Sequence, residues 1–125
     1  MTVSPREVAE AYWRAEERRD LAGVLGYYAE DAELVVPTMG RLVGHSQIRR
    51  FYEDSIERFP KLSVTLVSGV SDGATGAFEW SSVHRDAAGH DYASQGVNVL
   101  EVRDARFTSV HVYYDPTVFG TDGDR

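Results

Sequence analysis

The stretch IRRFYEDSIERFPKLSVTLVSGV, residues 48–70, contains the change of period on which the fold turns. Before Pro60, apolar side chains recur at helical spacing: Ile48, Phe51, Tyr52, Ile56 and Phe59. Proline has no N–H and biases the residue before it away from the α region, so a helix that starts near His45 ends here. After Pro60 the pattern alternates, first over 62–70 and then over 74–85, 91–102 and 106–114. Ser71-Asp72-Gly73, Ala87-Ala88-Gly89 and Arg103-Asp104-Ala105 separate these runs, each short enough for a hairpin. The second half therefore reads as an antiparallel meander.

Working back toward the N-terminus, Ser4-Pro5-Arg6-Glu7 is a helix start, with a Ser cap, Pro at the first helical position and Glu placed to close a capping box. The first helix runs to about Arg19. Asp20 caps a short second helix through Leu21, Val24 and Leu25, which ends in Tyr27-Tyr28 and a polar turn at Glu30-Asp31. Residues 32–36 form a short strand stopped by Pro37, and 40–44 are a loop. Helices first and strands afterwards is the order of an α+β fold, with three N-terminal helices on the concave face of a curved, mostly antiparallel sheet. The expected organisation is one domain over 1–125, with an ordered core of about 4–116 and a frayed tail over 117–125.

The 125 residues contain no cysteine, which excludes disulfides and zinc–thiolate sites while allowing a hydrophobic core of ordinary size. Lys and Arg total 13 against 20 Asp and Glu, a net charge of −7 that argues against nucleic acid and acidic membrane surfaces as partners. No apolar run approaches the ~20 residues that span a bilayer, and the first six residues lack the features of a secretory signal. Cytoplasmic localisation is the expectation.

The segments YYAEDAELVVP and GRLVGHSQIRRFYEDS, followed by the meander ending in VHVYYDP, resemble the nuclear transport factor 2-like superfamily. This is the cone-shaped α+β fold of ketosteroid isomerase and the SnoaL-like polyketide cyclases. The resemblance covers nearly the whole chain and implies a fold more than an activity, because the superfamily also hosts dehydratases, hydrolases and non-catalytic subunits. Aligned on ketosteroid isomerase, Tyr12 falls on the oxyanion-binding tyrosine, Tyr28 and Tyr52 on its two supporting tyrosines, and Asn98 on a protonated aspartate. The general-base position falls on Val36, which cannot accept a proton. That departure speaks against isomerisation by the usual mechanism.

A tyrosine hydroxyl and an asparagine amide both donate while neutral, so Tyr12 and Asn98 suit an oxygen on which negative charge develops. The structural alternative is that the three tyrosines are core residues whose hydroxyls satisfy one another, and that Asn98 simply bonds one of them. If Asn98 faces inward, alternation carries Tyr92, Ser94, Gly96 and Leu100 with it. The family register adds Phe78, Trp80, Ser82 and His84. With Val36, Val112 and Tyr114 these residues would line a mainly aromatic pocket for a small apolar ligand, polycyclic or polyketide-like. Equally, they could fill a closed core.

Two side chains could move a proton in place of the missing base: His84, and Glu16 one helical turn after Tyr12. Each has a plainer reading, His84 as a rim residue and Glu16 in an ion pair with Arg19 or Arg14. His45 reads as a helix cap and His111 as a surface or interface residue. His84, Asp86, His90 and Asp91 bracket one hairpin without the spacing of a metal site. The glycines over 69–76 lack the context of a phosphate loop. No metal or cofactor is therefore expected. The function read from the sequence is that of a pocket protein for a small apolar ligand, open to an isomerase, cyclase or dehydratase that stabilises an enolate or alkoxide with Tyr12 and Asn98, with a non-catalytic binding or interaction protein of the same fold as the alternative. A homodimer through the outer sheet face, where His111 and Tyr113 point, is also expected.

Overall fold

A computed structural model describes residues 3–120. Three helices, α1 (Pro5–Glu17), α2 (Leu21–Gly26) and α3 (His45–Arg58), precede or interrupt six strands. The strands are β1 (Tyr28–Val36), β2 (Gly40–Val43), β3 (Lys61–Asp72), β4 (Thr75–Arg85), β5 (Asp91–Arg103) and β6 (Arg106–Tyr114). They form one sheet in the order β2-β1-β6-β5-β4-β3. Among the described residues only the β1–β6 pair is parallel; the other neighbours are antiparallel, as the meander reading requires.

Helix α1 starts on the expected capping box: the Ser4 hydroxyl accepts from the Glu7 N–H at 3.1 Å, and Ser4 N–H donates to the Glu7 carboxylate at 2.9 Å. Its apolar stripe, including Val8, Tyr12 and Ala15, is buried against the sheet and α2. Asp20 caps α2 by accepting from Gly23 N–H at 3.0 Å. The expected cap at His45 is not found. Gly44 is the N-cap, and His45 is the first residue of α3, with its Nε2 2.8 Å from the Tyr28 carbonyl oxygen, tying the helix to β1.

Three local expectations are corrected by pairing. Glu30 and Asp31 lie inside β1 rather than in a turn, and residues 40–43 are strand β2 rather than loop. Along β1, Tyr28 pairs Phe107 and Glu33 pairs Ser109, so the intervening segment bulges and both acidic residues are exposed. A bulge of this kind has the local polarity of a turn; the partner that makes it a strand lies some eighty residues downstream. The third correction concerns the tail, since Pro116–Phe119 forms a 3₁₀ turn whose Phe119 ring packs on Phe59, His84, Tyr92 and Tyr114. Residues 121–125 of the expected tail lie outside the described residues.

Further register shifts between Leu66 and Ser68 and between Glu101 and Val102 bend the sheet around the helices. At the tight end Phe78 is almost fully buried and lies over Gly69, where a Cβ would stand 2.2 Å from the ring. Tyr28, Leu34, Phe107 and Val110 complete this closed end of the cone. Toward the other end the helices and sheet diverge.

Candidate functional site

Between α1, α3 and the concave sheet face lies a cavity of about 640 Å³. At its inner end, α1 contributes Tyr12 and α3 contributes Tyr52, with Tyr28 from the start of β1 behind them. The Tyr52 hydroxyl lies 2.5 Å from that of Tyr12 and 2.6 Å from that of Tyr28, making one hydrogen-bonded chain. Phe107 holds the rings edge-on, 5.3 Å from both Tyr12 and Tyr28. Burial pushes all three hydroxyls above the usual tyrosine range, so they stay protonated and remain donors at neutral pH.

A carboxyl group adjoins the chain. Glu16, one helical turn after Tyr12, lines the cavity. Burial raises its proton affinity; the neighbouring Tyr12 hydroxyl and the charge of Arg19 oppose that rise. Arg19 turns the corner after α1 with a positive φ of 54°. Its guanidinium stands 3.8 Å from Glu16 Oε1 and donates to the Glu16 carbonyl and to the Ser55 hydroxyl of α3, each at 3.1 Å. The Arg19 reading of the Glu16 ion pair thus describes the geometry, and Arg14 pairs with Glu17 instead.

On the sheet, Asn98 is buried, and its Oδ1 accepts from Trp80 Nε1–H at 2.8 Å. An indole N–H can only donate, so the oxygen must face it and the amide NH₂ is left as a donor for the cavity. Gly96 makes room for this pair: a Cβ there would stand 2.6 Å from the Trp80 ring. Asn98 therefore bonds Trp80, not a tyrosine hydroxyl, which the sequence reading had offered as its plainer role.

Toward the mouth, His84 sits between the rings of Phe59 and Phe119, each 4.9 Å away. Burial, reinforced by the charges of Arg19 and Arg58, lowers its pKa to about 4 and keeps the imidazole neutral. Its Nδ1 and the Ser82 and Ser94 hydroxyls are buried and, among the described residues, have no hydrogen-bond partner.

Val36, Trp80, Ser82, Val112 and Tyr114 line the cavity, together with Tyr12, Tyr52, Glu16, Asn98 and His84. Tyr28, Phe78 and Leu100 do not; the cone narrows before reaching them, and they are buried in the core behind the cavity. Tyr92, Ser94 and Gly96, expected on the same face, do not line it either. Sequence reading missed Trp13, Phe51, Arg58, Phe59, Leu62 and Phe119 in the walls. Helical spacing had already marked Phe51 and Phe59 as inward-facing, whereas the position of Phe119 carried no local signal. At the 86–91 hairpin, Asp86 is occupied by the N–H groups of Ala88 and His90 and by the Tyr92 hydroxyl. Among the described residues no group of three metal-binding side chains gathers.

Residues 9–110 match the family model of the SnoaL-like domain. The chain belongs to this family. No curated protein matches it. Three solved structures show how closely the SnoaL-like domain follows a shared fold. A protein with a ketosteroid isomerase-like fold from Catenulispora acidiphila, in complex with trimethylamine, is 19% identical with a TM-score of 0.81, over 93% of this chain and 90% of that one. TerC, co-crystallised with polyporic acid, is 19% identical with a TM-score of 0.78, over 91% and 93% of the two chains. An LEH-like epoxide hydrolase from M. tuberculosis is 20% identical with a TM-score of 0.75, over 86% and 80%. At these identities the SnoaL-like domain shares an architecture with proteins of differing activity. Among its described residues no helix is long and apolar enough to cross a membrane.

Proposed function

We propose that this SnoaL-like domain binds a small, mainly apolar ring compound, polycyclic or polyketide-like, through an oxygen, and stabilises that oxygen as an enolate or alkoxide. The observation that carries the reading is the buried chain Tyr28–Tyr52–Tyr12, which ends at the cavity beside Glu16. When each hydroxyl donates to the next, the last free proton is that of Tyr12, aimed at a ligand oxygen. Charge developing on that oxygen polarises the whole chain. The Asn98 amide supplies a second donor from the opposite wall. Neither group needs to change its protonation state to act.

Glu16 is the proton carrier in this reading. With the ligand oxygen held by Tyr12 and Asn98, an adjacent C–H bond breaks, its proton passes to the Glu16 carboxylate, and the electron pair moves onto the held oxygen. Return of that proton to another carbon completes an isomerisation. Its raised pKa brings Glu16 closer to the range of an efficient base, whereas His84, lowered to about 4, is a weaker one. Val36, 2% exposed in the cavity wall where the superfamily's isomerase has its base, favours a second reading in which the same donors bind without turnover.

The test uses 2-naphthol, whose phenol and phenolate absorb differently. Bound 2-naphthol should ionise at lower pH than in water, and Tyr12→Phe should remove much of that shift. Ionisation at its free pKa while the compound sits in the cavity overturns the donor assignment. Turnover of a β,γ-unsaturated ketone that is lost in Glu16→Gln supports the enzyme. If only Val36→Asp shows activity, the binding-only reading stands.

For assembly, the proposal is a homodimer through the outer sheet face. Val83, Val99 and Tyr113 are exposed there, beside the contacts that His111 and Arg41 make to Glu33 at 2.6 and 2.8 Å. Light scattering that finds only a 13.9 kDa particle at micromolar concentration refutes it.

A further inference from the structure

The polar atoms of the cavity divide into two groups. Those of the tyrosine end are bonded to one another, whereas Ser82 Oγ and His84 Nδ1 have no partner among the described residues. Buried polar atoms without partners are uncommon in folded proteins, and two on one patch of the wall call for a shared explanation. Ser82 on β4 is 5% exposed, and His84 is two residues along the strand, on the same face; Ser94, the cross-strand partner of Ser82, does not line the cavity. Apolar rings surround the patch, with Phe59 and Phe119 on His84 and Leu62 paired with it on β3. A polar spot in an apolar wall is how a pocket fixes the orientation of a ligand.

We propose that Ser82 and His84 form a second anchor, which hydrogen-bonds a hydroxyl or carbonyl oxygen at the far end of the ligand. This rests on the reading of the cavity as a ligand site and adds the class of compound: an elongated, fused-ring molecule with an oxygen at each end. Asn98 pairs with Phe78, which lies four residues along β4 from Ser82, and at about 3.3 Å per residue that is roughly 13 Å. A single ring holding one anchor does not reach the other; a linear three-ring compound does. The Ser82 hydroxyl can donate to an acceptor oxygen, and the neutral imidazole can accept from a hydroxyl or donate to a carbonyl, according to its tautomer. The Arg19 and Arg58 charges that disfavour protonation of His84 also favour an electron-rich oxygen there.

The experiment compares 2-hydroxyanthraquinone with 2,6-dihydroxyanthraquinone, the same ring system with one or two terminal hydroxyls. Affinities for both, and for 2-naphthol, are measured on the wild-type protein and on Ser82→Ala. The wild type should prefer the dihydroxy compound by about tenfold, the effect of one well-placed hydrogen bond. Ser82→Ala should lose most of that preference and keep its affinity for the other two compounds. Its melting temperature should be equal or higher, since it removes an unpaired hydroxyl; a lower one would assign the serine a structural role and overturn the proposal. If 2-naphthol binds and the wild type shows no dihydroxy preference, the second anchor is wrong and the tyrosine-end reading survives. If none of the three compounds binds, both fall.

Discussion

The two ends of the cavity are built from similar materials and treated differently. At the inner end the hydroxyls of Tyr12, Tyr28 and Tyr52 are bonded to one another, Glu16 adjoins the chain, and Arg19 braces Glu16 against α3. At the mouth, the Ser82 hydroxyl and an imidazole nitrogen are as deeply buried and have no partners among the described residues. A buried, hydrogen-bonded tyrosine chain is preorganised: its geometry is set before any ligand arrives, and its donors need no rearrangement as charge develops. An unpaired patch instead leaves the folded protein short of hydrogen bonds that a ligand can supply. The inner end suits chemistry, and the mouth suits selection.

The largest expected effect breaks the bonded end. Tyr52→Phe removes the central hydroxyl and leaves those of Tyr12 and Tyr28 without their shared partner, so denaturant unfolding should show a loss on the order of 2–4 kcal/mol. Almost no change would mean that the chain contributes little to preorganisation.

The next prediction sets the two ends against each other through pH. His84 has a folded pKa of about 4, below its ordinary value of 6.5, so between these values the unfolded chain binds the extra proton and stability falls as pH falls. The loss should reach roughly 3 kcal/mol near pH 4 and disappear from His84→Phe relative to wild type. Glu16 acts in the opposite sense. Its folded pKa is raised, so its contribution is present below the ordinary carboxylate range and is lost as pH rises through the folded value. Glu16→Gln should therefore gain on wild type as pH rises, in urea titrations run from pH 4 to 8. Matching profiles for both variants would contradict the assigned environments.

A somewhat smaller effect is read by binding. Tyr12→Phe should weaken the naphtholate complex by ~1.5–3 kcal/mol, the range for a hydrogen bond to a charged group. Calorimetry above the pKa of the naphthol measures it, and an unchanged affinity would remove Tyr12 from the site.

The smallest effect sharpens the contrast. Ser82→Ala deletes an unpaired hydroxyl, so stability should stay within about 0.5 kcal/mol of wild type or rise. A loss comparable to that of Tyr52→Phe would show that the mouth is bonded after all.

Much of this was legible in the sequence, and the parts that were not share a cause. The capping box at Ser4, the helix stop at Pro60 and the three hairpins of the meander are local patterns, set by residues within a few positions of one another. The superfamily register carried Trp80, Ser82 and His84 to the face of Asn98, and it joined Tyr12, Tyr28 and Tyr52. Tertiary structure alone decided the rest. Glu30 and Asp31 belong to a strand because β6 pairs across a bulge, and Phe119 closes the mouth because Phe59, His84 and Tyr114 await it from distant elements. Phe78 and Leu100 show the same limit: alternation gives the face of a strand, but the depth at which a curved sheet meets the helices decides whether a side chain on that face touches a cavity or fills the core.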